Sequence, residues 1–113
     1  MKPKISFPDF EKLDIRIGKI TKVEAHPNAD KLYVLTVDFG DEGTRTIVAG
    51  LKNYCETSHL ENKLATFVIN LEPRTLRGIE SQGMILAAIS EDKTIGCIIT
   101  PDSKEIKEGN SVS

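Results

Sequence analysis

The chain is 113 residues long, enough for one hydrophobic core and too short for two ordinary domains. Hydrophobic residues make up 39% and charged residues 28%, the balance of a globular chain. With 15 Lys and Arg against 17 Asp and Glu, the formal net charge of −2 excludes a globally basic coat protein and leaves room only for a local basic patch.

No apolar run approaches the ~20 residues that cross a bilayer; the longest is Met84 to Ile89. The N-terminus carries Lys2 and Lys4 but no apolar signal segment, so the expected location is cytoplasmic, with no membrane partner. Cys55 and Cys97 have no CxxC or CxH spacing. They read as reduced core residues, and the sequence offers no metal site.

The first element is a short helix. Ser6 is placed as its N-cap, Pro8 lies in the first turn, and Phe7, Phe10 and Leu13 form one apolar stripe. A helix of two turns does not stand alone, so it is expected to dock on something. From Asp14 the period becomes two, and Gly18 at a phase slip predicts a bulge or sharp coiling in the first strand. The His26-Pro27-Asn28-Ala29-Asp30 stretch is a loop. A second strand, 31–39, places Tyr33, Leu35, Val37 and Phe39 on one face; the 40–43 turn leads to a third strand, 44–49.

Leu51, Tyr54 and Cys55 have helical spacing and predict a short helix within 50–62. The fourth strand is expected over 63–71, with Ala65, Phe67, Ile69 and Leu71 inward. Residues 72–81 read as a loop. The nearly continuous apolar run 83–90 predicts a fifth strand buried on both faces, turned back at 91–94 into 95–99. The tail from Thr100 is polar except for Ile106 and Val112, a partly ordered extension.

Three strands, a short helix, then two strands is the order of an OB-fold. The expected class is therefore all-β: a five-stranded Greek-key barrel with short helices and flanking N- and C-terminal extensions. One domain covers 1–113, with its core at about 14–99 and flanks at 1–13 and 100–113.

Catalytic chemistry finds little support. His26 and His59 are isolated in different loops, and no phosphate-binding loop, dinucleotide fingerprint or zinc motif is present. Neither a catalytic residue nor a cofactor is expected. Nucleic-acid binding has better support, because Lys63, Arg74 and Arg77 outnumber Glu72 across 63–77. Two arginines flanking a loop between the last two barrel strands are placed to grip phosphate. A solvated surface loop remains the alternative reading. Aromatic side chains are few, which favours recognition of folded RNA by shape over stacking on single strands.

Four runs occur in order: Asp14-Ile15-Arg16-Ile17-Gly18, His26 through Tyr33, Arg45 through Leu51, and Asn70-Leu71-Glu72-Pro73-Arg74 continuing through Arg77 to Met84. Together they resemble the tRNA-binding domain family, found as the C-terminal domain or separate beta subunit of methionyl-tRNA synthetase and as free-standing proteins. The resemblance covers roughly Phe7 to Ala88. It implies an OB-fold and structure-dependent, non-catalytic binding to the outer corner of L-shaped tRNA. The implied contacts are Asn70, Arg74, Arg77, Ser81 and Met84, where Met84 is equally readable as a core residue. Lys31 is either a phosphate contact or a strand cap.

Members of this family are commonly homodimers paired through the flanks. That implies dimerisation through Phe7 and Phe10 of the helix and Ile106 and Val112 of the tail. The expected partners are tRNA, a second copy of the chain and the catalytic subunit of methionyl-tRNA synthetase. Two alternatives stand beside this reading: a dimerisation module with incidental RNA affinity, and an export-related chaperone that binds peptides.

Overall fold

Ser6 caps the first helix as its spacing predicts. In the computed structural model, which describes residues 1–113, its Oγ accepts from the Asp9 N–H at 3.3 Å and α1 runs Phe7–Glu11. So short a helix needs outside support. Asn70 supplies it at the exit, where Nδ2 donates to the Lys12 carbonyl at 2.6 Å and Oδ1 accepts from the Asp14 N–H at 2.7 Å. The Phe7 and Phe10 rings lie 6.2 Å apart, and Phe7 remains 67% exposed. Within the chain, the apolar stripe stays uncovered.

The barrel is organised by one long strand, β1 (Ile15–Ala25). Its first half pairs antiparallel with β4 (Leu64–Val68), from Ile15 opposite Val68 to Lys19 opposite Leu64. Its second half pairs with β2 (Tyr33–Asp38), ending at Ala25 opposite Tyr33. The register shift falls between Ile20 and Lys22, where the extra residue coils the strand from one sheet half into the other. Gly18 is not the bulge. Its hydrogen faces the core, where a Cβ would stand 2.5 Å from Val37 Cγ1 and 2.6 Å from Phe39 Cε1.

A tight turn at Gly40–Glu42 joins β2 to β3 (Thr44–Ala49), with Tyr33 opposite Ala49. Tyr33, Leu35, Val37 and Phe39 are all buried, as their alternation requires. Phe39 meets Phe67 of β4 edge-on, centroids 5.2 Å apart at 85°, the favourable quadrupole geometry. After β3, a helical turn carries the Tyr54 and Cys55 N–H groups onto the Leu51 carbonyl, both at 2.9 Å. The short α2 (Thr57–Leu60) follows and buries Leu60. The insert between the third and fourth strands is therefore present, divided in two.

Differences from the sequence reading cluster after β4. That strand ends at Val68, so Leu71 lies past the sheet and is 42% exposed. Residues 72–81 are largely a hairpin, β5 (Arg74–Leu76) paired with β6 (Ile79–Ser81). Arg77 and Gly78 at its tip have φ of 51° and 92°, the two positive values of a type I′ turn.

The apolar run 83–90 is not one doubly buried strand. It breaks into β7 (Met84–Ile85), which pairs with β4, and β8 (Ala87–Ile89), which pairs with β9 (Gly96–Ile98). Met84 is exposed because only the Ile85 side of β7 meets the core, and Ile89, at the end of β8, is exposed as well. Cys55 is half-buried and Cys97 is exposed on β9, so only Cys55 packs against the core.

The tail is ordered. β10 (Ser111–Val112) pairs with the start of β1, Val112 opposite Ile15. The Gly109 N–H also donates to the Ile17 carbonyl at 2.7 Å. The main sheet follows the path β3-β2-β1-β4-β7, an all-β, OB-fold-like barrel that is nearly closed. No helix is long and apolar enough to cross a membrane.

Candidate nucleic-acid interface

No backbone ladder joins β3 to β7, and side chains complete the seam. Ser81, 4% exposed, accepts from the Val48 N–H at 2.9 Å and donates to the Gly83 carbonyl at 2.9 Å. Gln82 Oε1 accepts from the Thr46 N–H at 2.9 Å, while its own N–H donates to the Thr46 carbonyl at 2.8 Å. The Arg45 guanidinium bridges the Ile69 and Gln82 carbonyls. Every buried side-chain polar atom of the chain has a partner. The Ser-x-Gly run is thus accounted for by barrel closure, and its signal in the sequence needs no ligand.

This placement makes a stability prediction. Ser81→Ala leaves the buried Val48 N–H without an acceptor, which costs about 1–3 kcal/mol. Thermal melting should fall accordingly, while tRNA affinity measured well below the transition should stay near that of the parent chain. A Ser81→Ala protein that melts normally would remove the seam from this account.

The six residues expected to contact RNA fall into two groups. Asn70 and Ser81 spend their polar atoms within the chain, one anchoring α1 and the other closing the barrel. Arg74, Arg77, Met84 and Lys31 are exposed. Met84, 48% exposed, is a surface residue and not a buried core one.

The hairpin divides the exposed set. Alternation along β5 and β6 puts Arg74, Leu76, Ile79 and Ser81 on the barrel-facing side, with Thr75 and Glu80 on the other. Arg74 and Glu72 border an apolar groove of about 750 Å³ lined by Leu71, Leu76, Met84 and Ile85 among others. Around the tip, Arg77 and Leu76 face the 29–32 loop across a second concavity of about 460 Å³ that includes Lys31 and Asp30. Arg74, Arg77 and Lys31 make no ion pair within the chain, so their charge is free for a ligand.

Arg16 and Lys63 stand apart from this set. Arg16 is held by Asp14 at 2.7 Å, with Glu42 at 3.8 Å. The hydrogen bond from Arg16 to Asp14 chiefly keeps its guanidinium above the ordinary range. Lys63 sits at the far end of β4 beside His59 and Lys104, so the 63–77 segment is not one basic patch. Lys31 takes its place beside Arg77, a pairing that 46 residues of separation conceal.

His26, read from the sequence as an isolated loop histidine, is structural. Buried to 4% exposure on a loop, its ring joins that loop to the hairpin: Nδ1 accepts from the Asn28 N–H at 3.0 Å and Nε2 meets the Leu76 carbonyl at 2.9 Å. Its burial is a tertiary fact, with no local signal beyond its place at the end of β1.

Residues 15–111 match the family described as "Putative tRNA binding domain". The chain belongs to the tRNA-binding domain family. It is 54% identical over 108 residues to a methionine–tRNA ligase of Pyrococcus furiosus, a match covering 96% of this chain and 14% of the ligase. The chain thus spans about a seventh of the curated relatives it matches. Among solved structures, it resembles a methionyl-tRNA synthetase related protein of Pyrococcus horikoshii, with TM-score 0.91 and 34% identity over 99% of this chain and all of that one. It also resembles the CsaA chaperone of Picrophilus torridus, with TM-score 0.86 and 32% identity over 97% of this chain and all of the chaperone.

For this tRNA-binding domain, two of the free cations, Arg74 and Arg77, lie on the connection between the fourth and fifth barrel strands, a position from which OB-folds engage ligands, and the third, Lys31, lies on the loop between β1 and β2. The groove beside Arg74 adds apolar surface but no aromatic ring. Contacts to phosphate and shape therefore outweigh base stacking in what this face can offer.

Proposed function

We propose that this tRNA-binding domain is a non-catalytic accessory part of a methionyl-tRNA synthetase, as a beta subunit or C-terminal domain, that raises tRNA affinity. The observation that carries the reading is the hairpin bearing Arg74 and Arg77, unpaired and exposed beside Lys31, in a chain homologous to a seventh of the ligase. Aminoacylation belongs to the part of the ligase outside this chain. A tethered RNA-binding module raises the effective concentration of tRNA at the catalytic body without selecting the anticodon.

The active form in this proposal is a homodimer. Ile5, Phe7, Phe10 and Leu13 stay exposed on and beside α1, and Val112 is anchored opposite Ile15, two residues beyond Leu13. Helix and tail thus converge at the start of β1 as a shared apolar surface. Ile106, also in the tail, is half-buried. Leaving such a surface open is unfavourable, and pairing with a second copy covers it.

Folded tRNA should bind with a log-log salt slope of about −2 to −4, as expected when two to four phosphates are neutralised per subunit. Sedimentation at micromolar concentration should show twice the 12.5 kDa of the chain. A flat salt response overturns RNA binding, and a monomer throughout overturns the dimer.

A second reading draws on the apolar groove and the likeness to the CsaA chaperone. It predicts suppression of aggregation of an unfolded protein at stoichiometric concentration. Strong tRNA binding without such suppression decides for the accessory role.

A further inference from the structure

We propose that His26 is a positioning residue whose imidazole fixes the tip of the β5–β6 hairpin so that Lys31 and Arg77 form one seat for a single phosphodiester. This deepens the tRNA-binding reading and rests on it.

The hydrogen-bond geometry supports this assignment. Because Nδ1 accepts from the Asn28 N–H, the ring proton lies on Nε2, which donates to the Leu76 carbonyl. The His26 backbone N–H donates to the Leu32 carbonyl at 3.0 Å. One residue is therefore bonded to the immediate neighbours of both cations, Leu32 beside Lys31 and Leu76 beside Arg77.

Leu76 and Ile79 pack the hairpin against the barrel, but it has no other hydrogen bond to the barrel at that end. Its remaining attachments, Ser81 to Val48 and Gln82 to Thr46, lie at its base. Between residues 75 and 79, the bond to His26 is the only hydrogen bond leaving the hairpin. Without it, the tip can swing on the base and separate Arg77 from Lys31.

Charge and shape fit one phosphodiester. Lys31, Arg77 and Asp30 border the same concavity, giving the seat a net charge of +1. That balances the single negative charge of an internal phosphate. The guanidinium fork and the ammonium come from different elements that border one concavity, and the proposal places the anion between them.

The test measures folded-tRNA affinity against salt for the full chain and its variants, with thermal melting on the same samples. Lys31→Ala and Arg77→Ala should each make the log-log slope shallower by about one, and the double variant also by about one, because only one phosphate is released. His26→Asn retains an acceptor in the place of Nδ1 but lacks the donor that reaches Leu76. It should flatten the slope by about one without removing a cation, an effect that a purely structural histidine would not produce. His26→Gln, whose amide nitrogen takes the place of Nε2, should restore the slope.

A double Lys31→Ala/Arg77→Ala variant that flattens the slope by about two overturns the shared seat. A folded His26→Asn protein with the parent slope overturns the positioning role while leaving tRNA binding intact. Unchanged binding in both single-cation variants instead overturns the assignment of this face to tRNA. Should His26→Asn fail to fold, the double variant and His26→Gln still decide: additive losses, or a flattened slope in folded His26→Gln, sink the proposal.

Discussion

Replacing Arg74 and Arg77 together by alanine is expected to lower tRNA affinity by about 100-fold or more at moderate salt. Each charge-assisted contact to phosphate is worth about 1.5–3 kcal/mol, and about 1.4 kcal/mol is a factor of ten in binding. Because the two arginines border different concavities, they are expected to engage different phosphates, and the log-log salt slope should become shallower by about two. Melting should not change, since both side chains are exposed and form no ion pair within the chain. Alanine also keeps the Cβ at position 77, so the left-handed backbone there is no more strained than before. Titration at four or more salt concentrations, beside a melting curve, checks both halves. An unchanged slope would show that the hairpin is not the phosphate-binding element.

Gly83→Ala should cause the larger loss of stability. Its φ of 149° is strained for a side-chain-bearing residue, and an added Cβ would stand 2.9 Å from both the Val68 carbonyl oxygen and Ile47 Cδ1. Backbone cannot yield as a side-chain tip does. Combining strained backbone with overpacking gives a cost of about 2–4 kcal/mol. For a domain of this size, a fall of roughly 10 °C in Tm follows. Since Gly83 accepts from Ser81 and precedes β7, the damage falls on the seam joining β3 to the last strands. Calorimetry of Gly83→Ala showing a parent-like transition would mean that the seam is softer than its distances imply.

The first half of the barrel was legible because burial there follows the strand period. Tyr33, Leu35, Val37 and Phe39 alternate without a break, and the structure buries all four. After β4 the code changes. Residues 72–81 looked like a loop because Pro73 and Gly78 punctuate them, yet Arg77 and Gly78 make a two-residue hairpin turn in which arginine stands where asparagine or glycine is usual. The apolar run 83–90 suggested one buried strand, but pairing with β4 ends after Ile85 and pairing with β9 begins at Ala87. Apolar content alone does not say where a strand changes partner.

The candidate site was legible by residue type but not by arrangement. Arg74 and Arg77 stood out as cations flanking a Pro-containing loop in a locally basic segment. Their association with Lys31 is tertiary, and it replaced Lys63, which is nearer in sequence and farther in the fold. Ser81 drew notice for its motif, although its hydroxyl is occupied by Val48 and Gly83. His26 was legible as a structural or solvated loop residue, but its partner was not, because only the docked hairpin buries it.

Arg77 also bears on how such a domain changes over time. A left-handed tip residue with a Cβ carries a backbone cost of about 1–2 kcal/mol that glycine would not carry. Random substitution screened for heat resistance alone would drift toward glycine or asparagine at this position, and the drift would erase a cation while leaving the fold improved. Lineages that use the tip for RNA have a reason to resist that drift, and lineages that use the same barrel for another ligand do not. If Arg77 contacts RNA as proposed, stability and affinity select opposite residues at the tip, and any effort to harden this domain for use as an RNA-capturing tag should leave it untouched.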